Sequence, residues 1–312
     1  MTAAISIRNV KKSYGAFEAL KGVDITINRG EFFGLLGPNG AGKSTLINII
    51  AGLARADSGE VAVLGHDVVK DYRNARRALG IVPQELVFDA FFSVREVLEM
   101  QSGYFGLGKE NRGWIDELLE ALALTDKADS NMRALSGGMK RRVLIAQALV
   151  HQPEVVILDE PTAGVDVELR QLLWDFISQL NQKGHTIVLT THYLEEAEKL
   201  CDRIAILNHG EVIALDTKAS LLQSEICNTL HLMVKTAEAV AALPPQLAES
   251  IRNKVKRIEG NRIWLELNKE QDSIVEVLAE IAAAGIQVVD LETERADLED
   301  VFVELTTKRG SR

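Results

Sequence analysis

A glycine-rich stretch near the N-terminus has the composition of a phosphate-binding loop. Residues 37–45 match the pattern G-x-x-x-x-G-K-S/T. Glycines let the backbone curl so that several N–H groups converge on phosphate oxygens, and a following helix points its N-terminal dipole at the same anion. Lys43 would contact the β- and γ-phosphates, and the Ser44 hydroxyl would bind Mg²⁺. The candidate nucleotide-binding residues are Gly37, Pro38, Asn39, Gly40, Ala41, Gly42, Lys43, Ser44 and Thr45.

Two adjacent carboxylates follow an apolar run at residues 155–158. The carboxyl ends of parallel strands form the ligand-binding edge of a sheet, so both acids are expected there. Asp159 would hold Mg²⁺, through water, and Glu160 would polarise an attacking water as a general base. The alternative, a plain strand followed by a solvated acidic turn, is weakened by the phosphate-loop pattern in the same chain.

The segments around these motifs alternate between strand and helix patterns. The pattern predicts strands at 31–36, 61–64, 79–82, 155–158, 186–190 and 203–207, and helices at 44–53, 167–182 and 193–200. Residues 5–27 alternate as strands, with turns around Gly15 and around Lys21 and Gly22. Strands alternating with helices favour a parallel α/β layer, and the helical periodicity between residues 93 and 150 predicts an insertion into it.

A second region follows from residue 219 to residue 312. A strand is expected at 230–234, a β-hairpin at 255–258 and 263–267, and another strand at 286–291. Helices are expected at 273–284 and 297–305. The sequence therefore predicts two domains, residues 1–218 and a small α+β domain at 219–312 that carries no recognisable catalytic motif.

Composition limits the function classes. The chain has 312 residues, of which 46% are hydrophobic, and 35 basic against 45 acidic residues give a formal net charge of −10. Such a composition excludes wholesale disorder, and its acidic balance disfavours nucleic acid as a partner. The two cysteines, Cys201 and Cys227, fit a reducing compartment better than a disulfide scaffold. Neither a secretory signal nor a transmembrane segment is expected, because no apolar run reaches about 20 residues.

A third motif places the first two in a family. Residues 135–142 read Leu-Ser-Gly-Gly-Met-Lys-Arg-Arg, shortly before the acidic strand. Together the motifs resemble the ATP-binding subunits of ATP-binding cassette (ABC) transporters over residues 5–218. The resemblance implies a P-loop NTPase cassette with a RecA-like parallel sheet core, an N-terminal antiparallel β part and an inserted helical subdomain. It also implies that Ser136, Gly137 and Gly138 cover the γ-phosphate of ATP held by a second copy of the chain.

Four further positions match the family singly. By resemblance, Tyr14 would stack on adenine, and Gln84 would touch Mg²⁺ and report to a membrane partner. Asp166 would lie at the dimer seam, and His192 would contact the γ-phosphate. The resemblance thus implies ATP and Mg²⁺ as cofactors, and Glu160, His192 and Gln84 as the catalytic residues.

The sequence departs from common family patterns at Met139, Gln147 and the pair at 164–165, none of which supplies a nucleophile or base. The segment 298–306 is similar to the ending of ABC-2-type exporter ATPases of the drug- and daunorubicin-resistance kind. That resemblance implies two cassettes, dimerised by ATP, which power a separate integral-membrane permease from its cytoplasmic face. The aromatic segment 87–92 would receive a short helix of that permease, or else pack in the core.

Two alternatives from other classes stay open at this point. One is a soluble ABC ATPase that acts on the ribosome or another macromolecule, although such proteins usually carry two cassettes or long coiled coils. The other is a regulatory subunit that binds nucleotide without hydrolysing it. The intact Lys43, Asp159, Glu160 and His192 argue against the second.

Overall fold

The computed structural model describes residues 2–85, 87–222, 229–240, 242–268, 271–295 and 298–307. The chain divides into two compact units, Met1–Thr217 and Lys218–Arg312. Cys227 and Asp297, which entered the sequence-based expectations, lie outside the described residues. No helix in the described part of the chain is long and apolar enough to cross a membrane.

The first unit contains two sheets. Its strands are β1 (Ala3–Tyr14), β2 (Phe17–Asn28), β3 (Phe32–Leu36), β4 (Ser58–Val63), β5 (His66–Asp67), β6 (Leu79–Val82), β7 (Val155–Asp159), β8 (Thr186–Thr190), β9 (Arg203–Asn208) and β10 (Glu211–Thr217). One sheet is antiparallel, in the order β2-β1-β4-β5, and the other has the order β10-β9-β3-β8-β7-β6. In the second sheet all neighbours pair in parallel except β10 with β9. The carboxyl ends of β3, β7 and β8 therefore share one edge.

The helices of the first unit are α1 (Lys43–Ile50), α2 (Tyr72–Arg77), α3 (Val94–Tyr104), α4 (Arg112–Ala121), α5 (Gly137–Leu149), α6 (Val167–Gln182) and α7 (Leu194–Leu200). Three of them, α3, α5 and α6, begin after polar residues whose side chains cap them. Ser93 and Glu96 form a reciprocal capping box on α3. Ser136 and Asp166 accept hydrogen bonds from backbone N–H groups of α5 and α6. These two caps are also predicted site residues, so helix geometry fixes where they lie.

The core of this unit lies beneath the phosphate loop. Phe33 and Leu35 of β3 and Ile157 of β7 pack with Leu46 and Ile50 of α1. Their burial anchors the loop and the acidic strand to the same rigid layer.

One predicted turn is wrong. Lys21 and Gly22 lie inside β2, where the register with β1 shifts between Val10 and Lys11. The chain bulges there because Gly22 adopts φ +101°, a left-handed conformation that resembles a turn in sequence while the strand continues through it. The predicted turn at Gly15 does separate β1 from β2.

The second unit is a small α+β structure. Its elements are α8 (Lys218–Leu222), β11 (Thr229–Thr236), α9 (Glu249–Arg252), β12 (Val255–Glu259), β13 (Arg262–Asn268), α10 (Ile274–Ala283), β14 (Val288–Arg295) and α11 (Leu298–Thr307). The four strands form an antiparallel sheet in the order β12-β13-β11-β14. Leu232, Ile263, Leu265, Val277 and Ile281 form the centre of its core. The strand expected from residue 286 begins instead at Val288.

Candidate active site

A cavity of about 190 Å³ lies where the phosphate loop meets the carboxyl ends of the parallel strands. The phosphate loop, Gln84 and both predicted carboxylates contribute to its wall. The lining residues are Phe17, Ala19, Asn39, Gly40, Ala41, Gly42, Lys43, Ser44, Thr45, Gln84, Asp159 and Glu160. Four segments of the sequence therefore meet at one polar cavity.

The phosphate loop is held tightly against its surroundings. Gly42 caps α1 with φ +109°, and a Cβ there would lie 2.6 Å from the Ala19 carbonyl oxygen. The Lys43 ammonium donates to the carbonyl oxygens of Gly37, at 2.6 Å, and Pro38, at 3.2 Å. Burial lowers the pKa of Lys43, while Glu160 and Asp159 oppose this shift. The lysine thus presents a poorly hydrated positive charge, which a phosphate anion would stabilise.

Asp159, the last residue of β7, is held by the adjacent strand β8. The Thr190 hydroxyl donates to its Oδ1. Burial raises the pKa of Asp159, and the hydrogen bond from Thr190 opposes that shift. A partly desolvated carboxylate of this kind gains stability from a nearby cation.

Glu160 has an unusual backbone that directs it into the cavity region. Its φ is +48°, in the left-handed region that residues other than glycine rarely adopt. Its N–H donates to the Thr190 carbonyl oxygen at 3.0 Å. Its carboxylate oxygen Oε2 accepts from Gln84 Nε2 at 2.9 Å and lies 3.2 Å from His192 Nδ1. Two side chains therefore fix the orientation of this carboxylate.

Comparison with known proteins identifies the arrangement. The family model described as ABC transporter matches residues 20–163. The Nod factor export ATP-binding protein I of a Rhizobium species is 38% identical over 306 residues, which are 97% of each chain. The linearmycin resistance ATP-binding protein LnrL of Bacillus subtilis is 37% identical over 309 residues, covering 97% of this chain and 98% of that one.

The chain belongs to the ABC transporter family. Solved structures agree: an ATP-binding subunit of an ABC transporter superposes with a TM-score of 0.67 at 30% identity, covering 70% of this chain and 92% of that one. A dimeric ATP-binding cassette in a post-hydrolysis state, bound to ADP and Pi, gives 0.63 at 30% identity, covering 68% and 98%. The predicted family, cassette fold and ATPase class are confirmed, and a transporter ATPase is favoured over a soluble one.

Several predicted site residues of this ABC ATPase lie outside the cavity lining: Tyr14, Gly37, Pro38, Ser136, Gly137, Gly138, Asp166 and His192. Gly37 and Pro38 contact the site through Lys43, and His192 does so through Glu160. Tyr14 is about half exposed and packs beside the Lys12 ammonium. A Cβ placed on Gly137 would meet open space.

Sequence reasoning missed three residues of the site, namely Phe17 and Ala19 in the cavity lining and Thr190 beside Asp159. Phe17, three residues beyond Tyr14, lines the cavity and is largely exposed. Thr190 hydrogen bonds Asp159 across two strands, a contact that depends on the pairing of Asp159 with Thr190. The available signal was a polar residue that ends a buried strand and precedes Thr191 and His192.

Proposed function

We propose that this chain binds ATP with Mg²⁺ at the cavity, hydrolyses it, and powers a separate integral-membrane permease of the ABC-2 exporter type. One observation carries the proposal: the phosphate loop, Gln84, Asp159 and Glu160 line a single cavity. Those groups are the ones that phosphoryl transfer to water requires, namely an anion cradle, a metal-ligating carboxylate and a base.

The donor chemistry fits Mg²⁺. The Ser44 hydroxyl, the Gln84 amide and the Asp159 carboxylate all face the cavity. Gln84 uses its amide nitrogen on Glu160, which leaves its amide oxygen as an acceptor. Mg²⁺ prefers oxygen donors and usually takes one or two carboxylates together with substrate phosphates. When bound, the ion would neutralise charge on the β- and γ-phosphates.

In the proposed reaction a water oxygen attacks the γ-phosphorus, and the bond to the β-phosphate oxygen breaks to give ADP and phosphate. Glu160 accepts the proton of the attacking water. Gln84 and His192 hold the Glu160 carboxylate in place, which lowers the entropic cost of aligning it. Lys43 stabilises negative charge on the phosphates, since its own contacts to loop carbonyls can be exchanged for phosphate oxygens.

A second copy of the chain would complete each site. Ser136, Gly137 and Gly138 do not line the cavity of their own chain. Ser136 caps α5 with its hydroxyl, and the backbone at Gly137 faces open space, whereas a Cβ on Gly138 would lie 2.5 Å from Leu169 Cδ2. A helix N-terminus with an open glycine is an arrangement that binds anions. Two chains facing each other would place this helix end of one over the γ-phosphate held by the other, with Asp166 at the seam. Dimeric cassettes among the similar structures support this proposal.

The permease would dock beside Gln84. A groove of about 510 Å³ is lined by residues that include Pro83, Val87, Phe105, Gln147 and His151. Val87 is largely exposed, as is Phe91 further along the same segment. Exposed apolar side chains at a groove favour a partner's helix over packing in the core. Docking here would place the chain at the cytoplasmic face of the membrane, and the export and resistance names of its relatives favour outward transport.

The decisive test of hydrolysis is Glu160→Gln. We expect kcat for ATP to fall by about 100-fold or more, because the variant lacks the base, while ATP binding persists and the dimer becomes stable. Glu154→Gln is the matched control, since Glu154 pairs with Arg29 on the surface. Steady-state ATPase assays and size-exclusion chromatography with ATP measure both properties. Normal turnover in Glu160→Gln would exclude Glu160 as the base.

Transport is tested by purification from membranes. The chain should co-purify with an integral-membrane protein that has several apolar spans of about 20 residues each. Recovery with ribosomes alone would replace the exporter by a soluble ABC ATPase.

A further inference from the structure

Two consecutive arginines of α5 bind backbone carbonyls in different parts of the first unit. Arg141 is 4% exposed, and its two terminal nitrogens donate to the Pro83 and Gln84 carbonyl oxygens at 2.6 Å each. Arg142 donates to the carbonyl oxygens of Leu122 and Ala123, which follow α4, at 2.8 and 2.9 Å. The same chemistry thus serves two attachments, and only Arg141 reaches the Gln84 backbone.

Two more cations near the start of α5 hold the residues that follow Gln84. Lys140 Nζ lies 4.4 Å from the centre of the Phe88 ring. The Arg133 guanidinium carbon lies 5.2 Å from the Phe91 ring. Cation–π contacts at such distances are attractive. The described residues 83–85 and 87–91, which we call the Gln84 segment, therefore have three cationic attachments to residues 133–141.

The Gln84 segment is also connected to the proposed base. The Gln84 amide nitrogen donates to Glu160 Oε2 at 2.9 Å. Burial lowers the pKa of the Arg141 guanidinium, and the charges of Asp159 and Glu160 oppose this shift. A continuous path runs from α5 through Arg141 and the Gln84 backbone to the Glu160 carboxylate.

We propose that Arg141 is a positioning residue: it fixes the Gln84 backbone to α5, so that displacement of the Ser136 end of this helix moves the amide that orients Glu160. The proposal rests on the proposed hydrolysis at Glu160. A planar guanidinium suits this task because its rigid fork holds two carbonyls at once, whereas an ammonium is a flexible point donor. The Gln84 segment would then move when the second copy closes on α5, even with no permease bound.

The first experiment measures the attachment without nucleotide. Chymotrypsin cleaves after aromatic residues, and its rate at Phe88, Phe91 and Phe92 reports local opening of the Gln84 segment. Arg141→Gln in the full chain should speed cleavage there by about 10-fold, as read by mass spectrometry of the fragments. Arg142→Gln, the matched control, should leave it within about twofold of the wild type. Equal cleavage in the two variants would overturn the attachment.

The second experiment measures coupling to hydrolysis. Arg141→Gln should lower kcat about 10-fold with KM for ATP changed less than about twofold, because the phosphate loop is untouched. In a double-mutant cycle, Arg141→Gln should cost nothing further in a Gln84→Ala background, since both act on one amide. Arg142→Gln should add independently to Gln84→Ala. Additive effects of Arg141→Gln and Gln84→Ala would overturn the positioning role.

A third variant covers loss of folding. If Arg141→Gln lacks a cooperative thermal transition, Arg141→Lys replaces it: its kcat should lie between those of the wild type and Gln84→Ala, and its cleavage rate in the Gln84 segment should exceed that of the wild type. If kcat and the cleavage rate of Arg141→Lys both equalled those of the wild type, a guanidinium would not be required at this position. A wild-type chain without ATPase activity would refute the proposed function, whereas the cleavage comparison would still decide whether Arg141 holds the Gln84 segment.

Discussion

The central strands of the two units are buried differently, and the difference separates the unit that contains the proposed reaction site from the second unit. In the first unit β3 and β8 are buried at every position, and β7 at all but Asp159. In the second unit β13 alternates between buried and partly exposed positions. A parallel sheet covered on both faces buries whole strands, whereas an antiparallel sheet covered on one face buries every second residue.

The consequence concerns where polar groups lie. A strand buried on both faces has polar side chains only at its ends, so Asp159 and Thr190 meet at one edge of the first unit. In the second unit polar residues are spread along the strands, and charged side chains form separate pairs, such as Lys254 with Asp272 and Lys256 with Glu266. The proposed reaction site therefore lies where polar groups are concentrated at a buried edge.

The largest effect that tests this contrast is expected from Lys43→Ala. Lys43 is buried and is the cationic side chain of the cavity lining, so its loss should weaken ATP binding by about 100-fold, or about 3 kcal/mol. Isothermal titration calorimetry measures the affinity. Lys256→Ala in the second unit, where Lys256 pairs with Glu266, is the control and should stay near wild type. A comparable loss of ATP affinity in Lys43→Ala and Lys256→Ala would contradict the contrast between the two units.

A smaller effect on ATP turnover is expected from core truncation in the second unit. Leu265 is buried in β13, and Leu265→Ala should lower the free energy of unfolding of this unit by about 3 kcal/mol. The ATPase activity of the folded chain should stay within about twofold of the wild type, because no described cavity residue lies in the second unit.

Ile157→Ala supplies the comparison in the first unit. Ile157 is equally buried in β7, two residues before Asp159. The substitution should cost a similar unfolding free energy and also lower kcat. Urea unfolding and ATPase assays measure both. If Leu265→Ala lowered kcat as much as Ile157→Ala, catalysis would depend on both cores alike.

Thr190→Val should shift a pH profile. Burial raises the pKa of Asp159 and the Thr190 hydroxyl opposes this, so loss of the hydroxyl should raise that pKa further. In the proposed reaction Asp159 must be ionised to hold Mg²⁺, so activity would be lost as pH falls through this pKa, and the acid limb of the pH–activity profile should move to higher pH.

Thr191→Val is the control for Thr190→Val. Thr191, the residue after Thr190, is also buried. Its hydroxyl accepts a hydrogen bond from the Tyr193 N–H at 2.9 Å and does not contact Asp159. The acid limb of the pH–activity profile of Thr191→Val should match that of the wild type. A shift of the same size in both variants would mean that the edge of β8, and not the Thr190 hydroxyl, controls Asp159.

The smallest effect is expected at His151, a partly buried titratable residue of the first unit that does not line the cavity. Burial lowers its pKa from 6.5 to about 4, and its ring stacks on Phe105 at 3.6 Å between centroids. Because the unfolded chain binds the proton more readily, stability is full above pH 6.5 and falls as pH drops toward about 4.

His151→Gln should remove the part of the pH dependence of stability that His151 causes. Glutamine can still donate to the Leu79 carbonyl oxygen, which His151 Nε2 contacts at 3.2 Å. The wild type should lose about 1 kcal/mol more than the variant between pH 7 and pH 5 in urea unfolding, after allowance for partial exposure. Parallel pH dependences would show that His151 is not desolvated in solution.

The sequence predicts best where one physical cause acts alone. The strand at 186–190 and the helix at 167–182 match the structure at both ends, since a long apolar pattern decides each. The helix α2 and the strand β10 were not predicted. Three arginines among six residues obscure α2, and β10 is only partly buried, so neither shows a clear periodicity.

The candidate site likewise has features that the sequence predicts and features that it does not. Residue types and motif spacing were enough to predict that the phosphate loop and the acids at 159–160 would meet. Contacts across the fold were beyond that reasoning, because they depend on register and on which way a loop folds back. The Thr190 bond to Asp159 and the reach of Arg141 to the Gln84 backbone are both of this kind.

At Glu160, whose backbone is left-handed, selection for stability and selection for turnover favour different residues. Any residue except glycine held at φ +48° costs the fold about 1 kcal/mol. Glycine adopts this conformation without steric cost, so a chain selected for persistence alone would drift toward glycine here. As the proposed base, Glu160 would be retained only while turnover is under selection, and its loss in a descendant would mark a cassette that has stopped hydrolysing.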